Sequence, residues 1–148
     1  MAVQRDHPYG RFNFLVDLGT GDTDGPDAGF QECSPLTAQI AVAEYRNGND
    51  RENNPRKITG VTRVVDVTLK RGVIGTVTLY QWFASIRDGD QATRTVTITL
   101  LGEDRSAVMQ WRLLRARPVR YSAGPLEAKG GDVAIEELTL AYERLELE

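Results

Sequence analysis

Apolar positions along the chain recur mostly at every second residue, the period of half-buried strands. Residues 11–18 place Phe12, Phe14, Val16 and Leu18 on one face and Arg11, Asn13 and Asp17 on the other, which predicts a first strand. The stretch GTGDTDGPDAG, residues 19–29, comes next as a long exposed turn, and a second strand region starts near Phe30. Residues 37–45 alternate more weakly, with Ile40 and Val42 opposed to Gln39, Ala41, Ala43 and Tyr45, so that both faces read as small and nearly dry. The polar run RNGNDRENNPRKITG, residues 46–60, reads as an extended loop or an extended flexible hairpin. VTLKRGV, residues 67–73, is again a strand, with Val65, Val67 and Leu69 on one face and two adjacent cations and a glycine at its end.

The period then changes. Leu79, Trp82, Phe83 and Ile86 fall at i, i+3, i+4 and i+7, which predicts one helix over about residues 76–88. Thr76 or Thr78 is its candidate N-cap and Gly89 its stop, so residues 72–75 form the corner between strand and helix. Residues 94–101 set Val96, Ile98 and Leu100 against Thr95, Thr97 and Thr99. Residues 107–114 return through the turn GEDRS with Met109, Trp111 and Leu113 on one side, which predicts a hairpin. Pro118 is expected to mark an edge or a break, with residues 119–121 continuing the line. VAIEELTLAYERLEL, residues 133–147, supports two readings. One is a strand whose phase slips at a bulge near Glu136 or Glu137, and the other is a helix through Ile135, Leu138, Tyr142 and Leu145. The pattern as a whole is mostly β: an antiparallel sandwich or barrel with one packed helix, in a single domain spanning residues 1–148 with an N-terminal arm at 1–10.

Composition narrows the function. The 148 residues are 41% hydrophobic, enough for one real core, and a formal net charge of -3 with no long cationic block argues against nucleic-acid specificity. The opening residues lack the apolar core of a signal peptide and no apolar run is long enough to span a membrane, so a soluble chain made in the cytoplasm, without stable membrane insertion, is expected. Cys33 is the sole cysteine and His7 the sole histidine, which excludes an intrachain disulfide and a thiolate or histidine metal cluster. No phosphate-cradling glycine motif is present. Asp22, Asp24 and Asp27 match fragments of a calcium loop but lack its twelfth-position glutamate, and a solvated acidic turn is the plainer reading. Glu103 with Asp104 and Glu136 with Glu137 are sequence neighbours, so on a strand each pair points to opposite faces and shares no proton. Neither catalytic residues nor a cofactor or metal is expected.

In order along the chain, PYGRFNFLV, GFQECSPL, VAEYRNGND, RKITG, VTLKRGV, the helix with WF and IRDG, RTVTITLL, WRLLRARPVRY and VAIEELTLAYE carry a resemblance to the tail tube proteins of contractile phages and related extracellular injection systems. The resemblance runs from about Pro8 to about Leu145. It implies a subunit similar in fold to the type VI secretion tube protein, six copies of which close a joint β-barrel around a lumen. It also implies rings that stack into a tube inside a contractile sheath, with baseplate and terminal cap proteins as further partners and a lumen that can carry cargo. Assembly in the bacterial cytoplasm, as part of a phage tail or a released phage tail-like particle, is implied by the same resemblance, which also favours strand over helix for residues 133–145. A tube-initiating or capping baseplate component of the same fold stays open, as does, without the resemblance, a ligand-binding β-sandwich. The candidate subunit and ring contacts are Tyr45, Arg46, Asp50 and Arg51 in the polar arm, the residues 1–10, and Lys70 and Arg71, read as charges that pair across a boundary or as two solvated cations. The threonine face of residues 95–99 is expected to meet solvent inside or outside the tube.

Overall fold

A computed structural model describes residues 2–21, 25 and 28–148. The three aspartates of the acidic turn lie outside the described residues. Among the described residues there are nine strands and one helix: β1 (Phe14–Asp17), β2 (Glu32–Cys33), β3 (Ala38–Tyr45), β4 (Arg56–Val64), β5 (Val67–Gly72), α1 (Thr78–Arg87), β6 (Arg94–Leu101), β7 (Ala107–Ala123), β8 (Ile135–Ala141) and β9 (Arg144–Leu147). These strands pair antiparallel throughout. Seven form one sheet in the order β1-β6-β7-β8-β5-β2, with β9 on β7, and β3 and β4 form a separate two-stranded ribbon.

The core forms because alternate residues of the large sheet are apolar on one face. Val16, Val67, Leu69, Val96, Ile98, Leu113, Leu138 and Leu140 meet there, and α1 closes it with Leu79 and Trp82, while Phe83 and Ile86 pack against its margin. Helix α1 has no side-chain N-cap: Val77 occupies the position, and the hydroxyl of Thr76 instead accepts a hydrogen bond from Arg71 at 2.9 Å. Its end agrees with the sequence expectation. Gly89 stands at φ +107°, its N–H bonds the carbonyl of Ile86 at 3.2 Å, and the N–H of Asp90 bonds that of Ser85 at 3.0 Å, the paired bonds of a Schellman stop.

Several boundaries differ from the sequence reading, each for a local reason. Phe12 precedes β1 and is 72% exposed. Val65 sits in the link before β5, exposed, with its N–H bonded to the carbonyl of Thr37. Residues 46–60, expected as an extended loop or an extended flexible hairpin, are the tip and one leg of a hairpin: residues 56–60 belong to β4, where the step from Ile40↔Thr62 to Val42↔Thr59 leaves an extra β4 residue and puts Ile58 and Val61 out of phase. β7 does not stop at Pro118. It pairs β6 through Ala116 and then β8 from Arg117, and the buried proline stands at a register shift, the kind of break in a ladder where proline is tolerated. The C-terminal segment is two strands, and the register of β8 on β5 runs unbroken from Ile135 to Leu140. The slip expected at Glu136 or Glu137 is therefore absent; Val133 lies outside the strand and Glu136 lies on the core face. The threonine face is not uniformly wet either, since Thr95 is exposed, Thr97 half-buried and Thr99 buried.

Candidate assembly surface

The β3–β4 ribbon is exposed along nearly its whole length. Every residue of β3 and all of β4 but Val64 are exposed, including Ile40, Val42, Tyr45, Ile58 and Val61. Apolar side chains thus stand on both faces of a ribbon that packs on no sheet of its own subunit beyond its root. A lone two-stranded hairpin is marginal in water. The tip is ordered by its own polar contacts. Arg46 donates to the carbonyls of Glu52 and Asp50, each at 3.0 Å, the carboxylate of Asp50 accepts from the N–H of Asn47 at 3.0 Å and from Arg56 at 3.2 Å, and the hydroxyl of Tyr45 meets the side chain of Asn47. Arg51 is exposed on the same turn. Four of the candidate contact residues named from the sequence, Tyr45, Arg46, Asp50 and Arg51, therefore cluster at one hairpin tip.

Lys70 and Arg71 part company. On the outer face of β5, Lys70 lies between Glu137 of β8 at 3.5 Å and Glu32 of β2 at 3.9 Å, its register partners on the two flanking strands. Arg71 points into the core and is 1% exposed. Its Nε donates to Oε1 of Glu136 at 2.6 Å, its guanidinium lies 5.8 Å from the ring of Phe30, and the other oxygen of Glu136 accepts from the hydroxyl of Tyr121 at 2.7 Å. That bond raises the Tyr121 pKa, with burial adding to it. Arg71 is thus neither solvated nor at a boundary. It continues the core ladder Val67↔Leu140 and Leu69↔Leu138 one step further as Arg71↔Glu136.

The N-terminal arm is wound around Arg5. The guanidinium donates to the carbonyls of His7 and Pro8, each at 2.8 Å, and stacks 3.8 Å from the ring of Tyr9, whose hydroxyl donates to the carbonyl of Val3 at 3.1 Å. Two hydrogen-bonded contacts tie the arm to the body: Arg5 forks onto Glu103 at 2.7 and 2.8 Å, and the N–H of Val3 bonds the carbonyl of Val108 at 2.9 Å. The Arg5 hydrogen bonds hold the Glu103 carboxyl down at about 2. Among the described residues no group of histidine, cysteine or carboxylate side chains is placed to hold a metal, and no helix is long and apolar enough to cross a membrane. The thiol of Cys33, half-buried on β2, is pushed up to about 11, mainly by burial.

Comparison with known proteins gives this exposed, partly apolar ribbon a context. The family profile of the T4-like virus tail tube protein gp19 matches residues 10–146. The chain belongs to this tail tube family. Among solved structures it is similar to a chain of the anti-feeding prophage baseplate, six-fold symmetrised, at 27% identity and TM-score 0.84, covering 97% of each chain. It is similar also to a chain of the sheath–tube complex of the PVC extracellular contractile injection system in its extended state, at 26% identity and TM-score 0.85, over 97% of this chain and 93% of that one. Hcp1 from Flavobacterium johnsoniae, at 11% identity and TM-score 0.54 over 90% of this chain and 93% of its own, shares the fold. No curated protein sequence matches significantly. The tail tube fold thus extends over nearly the whole chain, and both ribbon strands fall within the family match.

Proposed function

We propose that this chain is the repeating subunit of the inner tube of a contractile injection machine. Six copies close a ring around a lumen, rings stack head to tail, and the resulting conduit is driven through a target envelope when a surrounding sheath contracts. Head-to-tail contacts are heterologous and do not close, which is what an open filament requires. The sheath, the baseplate and a terminal cap are the partners, and cargo in the lumen is the load; the role is mechanical and conductive, with no reaction in it. The single observation that carries this reading is the β3–β4 ribbon, exposed on both faces in a subunit whose fold and family are those of tube proteins. Tyr45, Arg46, Asp50 and Arg51 at its tip are the contact residues, and Lys70 with its two carboxylates is a further candidate on the outer sheet face.

A second reading, a tube-initiating or capping component of the same fold, draws on the similarity at TM-score 0.83 to a chain in the anti-feeding prophage tube-terminating cap. Such a component stops at one ring, whereas a tube subunit continues.

The ribbon test is direct. Val42→Asp with Ile58→Asp places charge on both faces of the ribbon while removing no core contact, so subunit stability should stay within about 0.5 kcal/mol of wild type. Sedimentation velocity should then show the wild-type assemblies lost and a folded subunit in their place. Assemblies that form as in wild type would remove the ribbon from the interface.

A further inference from the structure

The N-terminal arm has an architecture that the tube reading does not use. Residues 2–8 are all exposed, and Val3, the largest aliphatic side chain among them, is 50% exposed, so among the described residues no buried apolar anchor fixes the arm to the body. Its contacts fall into two sets. The internal set consists of Arg5 on the His7 and Pro8 carbonyls, Arg5 stacked on Tyr9, and Tyr9 on the Val3 carbonyl; it belongs to the arm alone and travels with it. The external set is small: the fork of Arg5 on Glu103, the bond of Val3 to Val108, and the edge of the Tyr9 ring beside Gly102.

The receiving side is an edge of β7. The N–H and carbonyl of Gln110 both pair with Glu148 there, at 3.0 and 2.9 Å, and Val3 takes the next carbonyl along, that of Val108. This edge and the Glu103 turn are present in every copy of the chain, so each external contact can be remade on a second copy atom for atom. Exchanging an identical element between protomers has a low enthalpic cost for that reason. Extended, residues 3–10 span roughly 25 Å, so a neighbour whose β7 edge lies within that distance of Gly10 is within the arm's reach.

We infer that residues 2–10 are an exchange arm that leaves its own β7 edge during assembly and docks on the same edge and Glu103 of a neighbouring copy. The inference rests on the tube reading above and adds to it a specific partner, the β6–β7 turn and β7 edge of a second copy of this chain. In a single subunit the arm folds back and guards a strand edge that is otherwise open to unprogrammed pairing. In the tube it links subunits through the fork of Arg5, a bidentate contact whose planar geometry a lysine would not reproduce.

A charge-reversal complementation separates contact within one chain from contact between two. Arg5→Glu alone and Glu103→Arg alone set like charges together in either arrangement, so tubes of either should release subunits on dilution at least tenfold faster than wild-type tubes, whose arms must first leave a neighbour; light scattering and electron microscopy follow the release, and circular dichroism shows the folded subunit. An equal mixture of the two should regain slow release. The reversed arm of the Arg5→Glu chain then meets the reversed turn of the Glu103→Arg chain, and the native Arg5 of the second meets the native Glu103 of the first. Both changes together on one chain should release as slowly as wild type, which shows that neither damages the fold. Single variants whose tubes release subunits as slowly as wild type would overturn the exchange, and so would a mixture no slower than its components when the double variant works. Wild-type chain that never assembles under any condition would overturn the tube reading itself, and the exchange with it.

Discussion

At the scale of single residues, the buried pair of Arg71 and Glu136 is the most consequential contact. Both side chains are nearly fully buried, with relative side-chain exposures of 1% and 4%, and each satisfies further partners through Thr76 and Tyr121. Removing one member leaves an uncompensated buried charge, so Arg71→Met or Glu136→Leu alone should cost about 3–5 kcal/mol in urea unfolding. The double replacement should be close to neutral, because the desolvation cost of both charges disappears along with their attraction. The pair was legible in the sequence through its phase. Arg71 stands two residues after Leu69 and Glu136 two before Leu138, on the core side of both alternations, but the paired cations read as a strand end in the first case, and in the second the opposite phase of Val133 and Ile135 read as a slipped register. What the sequence lacked was the pairing that sets the two opposite each other. Cys33 makes a simpler prediction. Burial raises its pKa to about 11, so the thiolate is scarce at a pH of about 8; a thiol reagent should label native protein slowly and unfolded protein readily.

At the scale of elements, helix α1 was legible in its extent because its period, its apolar stripe and its glycine stop agree. Gly89 needs a positive φ, so Gly89→Ala should destabilise by about 1 kcal/mol, measured as a shifted denaturation midpoint with unchanged slope. Strand β4 was hidden by the extra residue in its pairing with β3, which breaks the two-residue period between Ile58 and Val61, and by flanking charges that resemble a loop. Strand β7 was cut short at Pro118 because sequence alone does not show that its partner changes there from β6 to β8. The ribbon gives the test at this scale. Backbone amides of β3 and β4 should exchange hydrogen quickly in the dispersed subunit, close to the rate of an unprotected hairpin, and slowly once assembled. Equal exchange in both states would mean that the ribbon is not covered.

At the scale of the whole molecule, the candidate surface was legible as composition and not as geometry. The sequence marked the polar run at 46–60 and the arm at 1–10 as unusual, but the clustering at the ribbon tip and the Arg5 clamp depend on distant segments meeting, Arg5 with Glu103 above all. The clamp also gives docking of the arm a sign with pH. The folded Glu103 carboxyl titrates near 2, below its ordinary value of 4.5, so its contribution is fully present above pH 4.5 and is lost as pH falls from there toward 2. Hydrogen exchange at the Val3 amide, corrected for its intrinsic rate, should lose protection across that window ahead of the far-ultraviolet dichroism of the subunit fold, and Glu103→Gln should lack the acid step. The central claim is tested most directly by negative-stain electron microscopy of the purified chain, with light scattering for mass and with preformed tube ends or a baseplate supplied as seeds. Hollow tubes of stacked rings are predicted, each ring six times the 16.4 kDa chain. A folded monomer at every concentration, unresponsive to seeds, would contradict a tube subunit.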